Sequence, residues 1–107
     1  MIKVVPIEGK GRGIVATEEI QRATIISRAP IMEVMPNTSI EDHCWTQDGV
    51  TYLTLGVQTL INHSDTPNCI SVAYNDDDLL IAIKRIDSGE ELTLDYSQCS
   101  DDFDGTF

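Results

Sequence analysis

Apolar residues fall in short runs along this chain, and most runs are β-branched and bounded by turn formers. IKVVPI (2–7) reads as a strand, and EGKGRG (8–13) as the turn after it. IVAT (14–17) predicts a second strand, linked by EEIQRA (18–23) to TIISRAPIMEV (24–34). That third run is strand-like, but Pro30 inside it implies an edge or a bulge, because proline has no N–H to give a ladder. SIEDHCW (39–45) predicts one or two helical turns with Ser39 as the N-cap. TYLTLGVQTLI (51–61) fits either a strand or a short helix. CISVAY (69–74) and LLIAIKRI (79–86) read as two strands of a hairpin across NDDD, and LTLDY (92–96) as the last strand. The prediction is a small, mostly β domain with many turns and little helix.

At 107 residues the chain holds one domain, and no composition shift marks a linker. Residues 98–107 read as a short acidic tail after a domain at 1–97. The 7 Lys and Arg against 18 Asp and Glu leave a formal net charge of -11. Such a surface repels phosphate backbones and argues against direct nucleic-acid binding. It attracts basic partners, although the same charge also serves simple solubility. Three widely spaced cysteines, Cys44, Cys69 and Cys99, fit neither a disulfide framework nor a standard zinc pattern, so no metal is expected. No apolar run is long enough for a bilayer, and MIKVVPIEGKG lacks the apolar core of a signal peptide. The expectation is a protein of a reducing compartment, with no membrane partner.

Residues 61–69, INHSDTPNC, hold the densest chemistry. Adjacent His63, Ser64 and Asp65 do not make a catalytic triad, which is an arrangement in space rather than in sequence. A zinc site from His43, Cys44, His63 and Cys69 has no standard spacing. Taken alone, the segment reads best as a turn, since Asn, Ser, Asp and Pro are strong turn formers.

The segment is not alone. GKGRGIVATEEI (9–20), LGVQTLINHSDTPNC (55–69) and IAIKRIDSGEELTLDYS (81–97) follow one another in order. Together they resemble the SET-domain protein lysine methyltransferases, whose pattern is a GxG, an NHSxxPN segment and a GEELTxDY segment. The match spans about residues 2–97 and is most similar to the minimal stand-alone SET proteins of viruses and bacteria. The resemblance implies a β-clip-like SET domain of several small curved sheets, with a C-terminal pseudoknot that brings the last two motifs together.

It also implies an activity: methyl transfer from S-adenosyl-L-methionine to a lysine of a basic protein or peptide, such as a histone, histone-like or ribosomal protein tail. Lysine titrates near ~10.4, so a nearby sulfonium and a dry channel must help supply the neutral amine. Tyr96 matches the catalytic tyrosine. Asn62 and His63 match cofactor contacts, as do Lys10, Gly11 and Arg12 in the loop at the cofactor's methionine end. His43 stands where relatives have an active-site tyrosine and is the second catalytic candidate, one that adds a titratable group. Leu94 occupies a position that helps set the number of methyl groups, and Phe103 is the candidate lid residue. The cysteine-rich zinc segment that closes the channel in many relatives is missing, so the tail or a second copy in a homodimer must close it. The implied localisation is cytoplasmic, or nuclear in a eukaryotic host. Two other readings stand beside this one: a catalytically silent SET domain that binds basic peptides, and a β-clip module unrelated to methylation.

Overall fold

The computed structural model describes residues 1–33, 44–47 and 49–96, and for 44–47 the backbone alone. His43, Phe103 and the tail at 98–107 lie outside the described residues, as do residues 39–43 of the expected helical turn. The strands are β1 (Ile2–Ile7), β2 (Gly11–Ala16), β3 (Ile25–Glu33), β4 (Cys44–Gln47), β5 (Val50–Thr54), β6 (Asn62–His63), β7 (Cys69–Tyr74), β8 (Asp77–Ala82) and β9 (Thr93–Leu94). A 3-10 turn at Val57–Leu60 precedes β6. The expected mostly β domain of small sheets is what forms.

β1 and β2 make an antiparallel hairpin in which Ile7 pairs with Gly11. Gly9 and Gly11 have φ of +78° and +80°, a region that a residue with a Cβ enters at a cost. The turn is therefore shorter than the EGKGRG reading, and β2 starts at Gly11 instead of residue 14. The second sheet has the order β4-β5-β3-β8-β7. β7 and β8 are joined by Asn75 and Asp76, with φ of 49° and 64°. Positive φ at both central residues is the type I′ geometry that matches strand twist, and Asn and Asp tolerate it.

Pro30 lies in a central strand, not on the sheet's edge, and a register shift occurs upstream, between Ile25 and Ser27. The proline is tolerated because β3 changes partners there. Pro30 is the last residue paired with β8, and Ile31 is the first paired with β5. Its carbonyl accepts the Leu55 N–H at 2.9 Å, just past the end of β5, so the missing N–H falls outside the ladder. The ambiguous run at 51–61 contains both alternatives, a strand to Thr54 and then the 3-10 turn. Cys44 and Trp45 belong to a strand instead of the expected helical turn, paired with Leu53 and Tyr52.

The last strand is much shorter than LTLDY. Residues 89–92 pair with β2: Leu92 N–H donates to Ile14 O at 2.8 Å, and Ala16 N–H to Glu90 O at 3.0 Å. Thr93 and Leu94 then change partner and run parallel to Asn62 and His63. The main core lies under this junction. Ile14, Ile61, Leu80, Ile86 and Leu92 are fully or nearly fully buried in it, and Leu94 packs against its side.

Candidate active site

The three sequence motifs meet where β2, β6 and the 89–94 segment cross. Asn62 Nδ2 donates to the Arg12 carbonyl at 2.9 Å and to Glu91 Oε2 at 2.7 Å. Glu91 Oε1 lies 3.3 Å from Lys10 Nζ. Residues of all three motifs thus join in a row from Lys10 through Glu91 and Asn62 to the backbone of Arg12. Both amide hydrogens of Asn62 are used, and its Oδ1 accepts no hydrogen bond among the described residues. Arg12 is exposed, and its guanidinium makes no ion pair among the described residues.

Gly13 permits the crossing. A Cβ there would lie 2.6 Å from Glu91 Oε2, 2.7 Å from Ile7 Cγ1 and 2.8 Å from Asn62 Nδ2. Gly11, in contrast, has nothing within 4 Å of its Cβ position, so its glycine answers to backbone conformation.

Asn62 and His63 are successive residues of β6, so their side chains leave opposite faces. His63 Nδ1 accepts the Tyr96 backbone N–H at 3.2 Å, and Nε2 lies 3.0 Å from Asp65 Oδ1. An accepting Nδ1 places the proton of the neutral ring on Nε2, which donates to Asp65. The Tyr96 ring stands 5.1 Å from the imidazole, centroid to centroid, at 53°. Its hydroxyl donates to the Ile61 carbonyl. Although Tyr96 as a residue is 59% exposed, this hydroxyl is tucked in. Burial first, and then the charge of Glu91, push the phenol above its usual pKa.

Asn68 anchors the segment that carries Glu91 and Tyr96. It is buried, and its side chain bonds the Thr93 N–H, the Glu91 carbonyl and Glu90 Oε2. Cys69 beside it is core: burial pushes its thiol up to about 12, which leaves it protonated and a poor ligand. Among the described residues, no group of three or more His, Cys, Asp or Glu could hold a metal ion.

Of the residues singled out in the sequence, Lys10, Arg12 and Asn62 are joined through Glu91 and the Arg12 carbonyl, and His63 and Tyr96 contact each other. Leu94 is half-buried against the main core and pairs with His63. Sequence reasoning did not single out Glu91, Gly13 or Asn68. All three lie inside the quoted motifs, but the contacts that give them their roles are with residues of the other motifs. The Ile61 carbonyl had no signal, since every residue has one.

The SET domain family model matches residues 11–97. The fold is similar to the crystal structure of a candidate histone methyltransferase from Plasmodium falciparum, with a TM-score of 0.78 and 22% identity, covering 89% of this chain and 91% of that one. An N-lysine methyltransferase of Xenopus laevis is 29% identical over an alignment of 120 positions, which takes in 89% of this chain and 36% of that protein. The chain therefore spans about a third of the Xenopus protein's length. With three motifs converging on one crossing and the family model covering most of its length, the chain belongs to the SET-domain family.

Proposed function

We propose that this chain is an S-adenosyl-L-methionine-dependent protein lysine N-methyltransferase acting on a basic protein tail. The observation that carries the reading is the crossing at which Asn62 bonds both Arg12 and Glu91, with the Tyr96 hydroxyl held by Ile61, the residue before Asn62. The relatives named as lysine and histone methyltransferases support the same class of reaction.

The donor set suits the cofactor's chemistry. Lys10 and Arg12 offer cations for a carboxylate, while Glu91 and the open Oδ1 of Asn62 offer acceptors for an ammonium group. Gly13 keeps the backbone free of a side chain at that point. When bound, the cofactor supplies an electrophilic methyl group on a sulfonium.

Tyr96 acts as a fixed acceptor. A hydroxyl has one proton and two lone pairs, and the proton is committed to Ile61. The oxygen is left to orient an incoming amine through its N–H. A phenol pKa above the ordinary value keeps that proton in place at neutral pH, so Tyr96 positions and does not deprotonate. Positioning of this kind supplies much of the rate in a displacement between two held groups. The net charge of -11 draws basic tails toward the site and raises their on-rate. The proposed location is the cytoplasm, or the nucleus in a eukaryotic host.

Titration calorimetry with S-adenosylmethionine and S-adenosylhomocysteine, on wild type and Asn62→Ala, tests the cofactor site. A basic-peptide array with wild type and Tyr96→Phe tests turnover. Binding that weakens in Asn62→Ala, with methylation lost in Tyr96→Phe, is the expected result. Cofactor binding absent even with a basic peptide present would sink the enzyme reading. Peptide affinity without methylation would favour the silent binding module.

A further inference from the structure

We propose that the His63 imidazole is a positioning residue for Tyr96, standing in for a missing bond of the β6–β9 ladder and letting go when it is protonated. The importance of Tyr96 at the reacting centre rests on the proposed function; the coupling of the two residues does not.

The ladder itself shows the gap. In the parallel pair, Ser64 N–H donates to Leu94 O at 2.9 Å. The next bond of a regular parallel ladder would run from the Tyr96 N–H to the Ser64 carbonyl. Here the Tyr96 N–H goes instead to His63 Nδ1. Strand β9 has ended at Leu94, so the Tyr96 backbone hangs on a side chain where a strand residue would hang on the main chain. At its other end the same tyrosine is tied to Ile61, two residues before His63. Tyr96 is thus clamped at both ends by one short segment, through one acceptor that titrates and one that does not.

Protonation changes the first clamp in kind. Imidazolium carries hydrogen on both nitrogens, so Nδ1 becomes a donor facing the donor of Tyr96. Nε2 keeps its bond to Asp65, which then faces the positive ring. The titratable groups facing the ring are the Asp65 carboxylate, from the turn after β6, and the Tyr96 phenol, from the segment beyond β9. Asp95 precedes Tyr96 in that segment, and Glu91 and Lys10 lie on the Asn62 side of β6. Losing the backbone bond frees Tyr96 to move about its hydroxyl contact, and a misplaced orienting group slows a displacement sharply.

Asparagine is the discriminating substitution, because its Oδ1 can reach the place of Nδ1 and accepts without titrating. The test follows the Tyr96 amide and the His63 ring resonances by NMR between about pH 5 and pH 8, the range in which histidines change charge. It is joined to pH profiles of kcat for wild type, His63→Ala and His63→Asn. The Tyr96 amide is expected to shift with the same midpoint as the His63 ring. His63→Ala should lose about tenfold to a hundredfold in kcat. His63→Asn should regain the larger part of that loss and drop the matching acid limb. An amide that ignores the ring, or Ala and Asn variants with equal kcat, would overturn the proposal. Should wild type methylate no peptide, the proposed function fails alone. The amide titration, read on the wild-type protein, then decides the coupling by itself, and it does so too if a variant fails to fold.

Discussion

Asn68 and Thr93 bond each other reciprocally across 25 residues of sequence: Asn68 Oδ1 accepts the Thr93 N–H at 2.8 Å, and Thr93 Oγ1 accepts the Asn68 N–H at 3.3 Å. Asn68 Nδ2 adds the Glu91 carbonyl at 2.8 Å and Glu90 Oε2 at 2.9 Å. One buried amide therefore fixes the segment that delivers both Glu91 and Tyr96. An Asn68→Ala variant leaves the Thr93 N–H and the Glu91 carbonyl without these partners. We expect a loss of about 2–4 kcal/mol in urea denaturation, since unmet buried groups forfeit their hydration as well as the bond. Asn68→Asp should fare no better at neutral pH, because it sets a carboxylate against Glu90 and the Glu91 carbonyl. A loss below about 0.5 kcal/mol in either variant, the level of an ordinary surface change, would remove Asn68 from this role.

Gly13→Ala carries a second prediction. The added methyl would press within 3 Å of Glu91 Oε2, Ile7 Cγ1 and Asn62 Nδ2 together. Glu91 and Asn62 can give only by breaking the row that joins the three motifs. Overpacking of this kind costs about 1–3 kcal/mol. Affinity for S-adenosylhomocysteine should fall along with stability. Gly11→Ala provides the contrast, with a comparable loss of stability from its φ of +80° and no clash. Calorimetry on both variants separates the two effects, and unchanged affinity in Gly13→Ala would place the cofactor site elsewhere.

Local patterns were legible in the sequence and distant pairings were not. β1 and β7 form over the residues that their apolar runs mark, and Asn75–Asp76 turns the β7–β8 hairpin as NDDD implies. These elements meet neighbours in sequence, so alternation and turn chemistry suffice to place them. LTLDY reads as one strand, but its residues divide between β2 and β6, partners that no local pattern names. Pro30 signals an edge by its chemistry, and only the exchange of partners along β3 explains its central place. At the site, motif resemblance picked out Asn62, His63 and Tyr96. The direction of each contact, such as His63 toward the Tyr96 backbone, came only with the register of β6 against β9.

Asp78 is the buried carboxylate of β8, and hydroxyls hold it across the sheet. Its Oδ2 accepts from Thr54 Oγ1 at 2.6 Å, and its Oδ1 from Ser71. Its carbonyl accepts from Gln58 Nε2 at 3.2 Å, and Gln58 Oε1 in turn accepts from Ser27. Thr54→Val and Ser71→Ala each take one donor from a charge shut away from water. Bonds to charged groups are worth about 1.5–3 kcal/mol, so each variant should lose that much in chemical denaturation. The double variant should depart from the sum of the two, because the sites share one carboxylate. Simple additivity of two small losses would mean that the carboxylate finds other donors.

Cys69 gives a prediction on pH, and the sign is fixed by its burial. The thiol is 1% exposed, and its pKa rises from 9.0 to about 12 in the folded chain. Burial is the main cause; a backbone hydrogen bond from Thr93 lowers the value in part, and the charge of Glu90 raises it. Below pH 9 the thiol is neutral folded or unfolded, and its full contribution to stability is present. Between pH 9 and about 12 the unfolded chain releases the proton and the folded chain keeps it. Stability then falls by about 1.4 kcal/mol per pH unit from this group. Tyr96, raised in the same direction, adds its own alkaline change, so the comparison must be with Cys69→Ala. That variant carries a constant penalty for the cavity, but it lacks the slope. Denaturation curves from pH 8 to pH 11 should therefore show the advantage of wild type over Cys69→Ala shrinking above pH 9. The same protonated state makes Cys69 inert to alkylation until the chain unfolds, because the thiolate is the nucleophile. Peptide mapping after iodoacetamide should find Cys69 unmodified in the native protein, and modification at the rate of a free cysteine would contradict its place in the core.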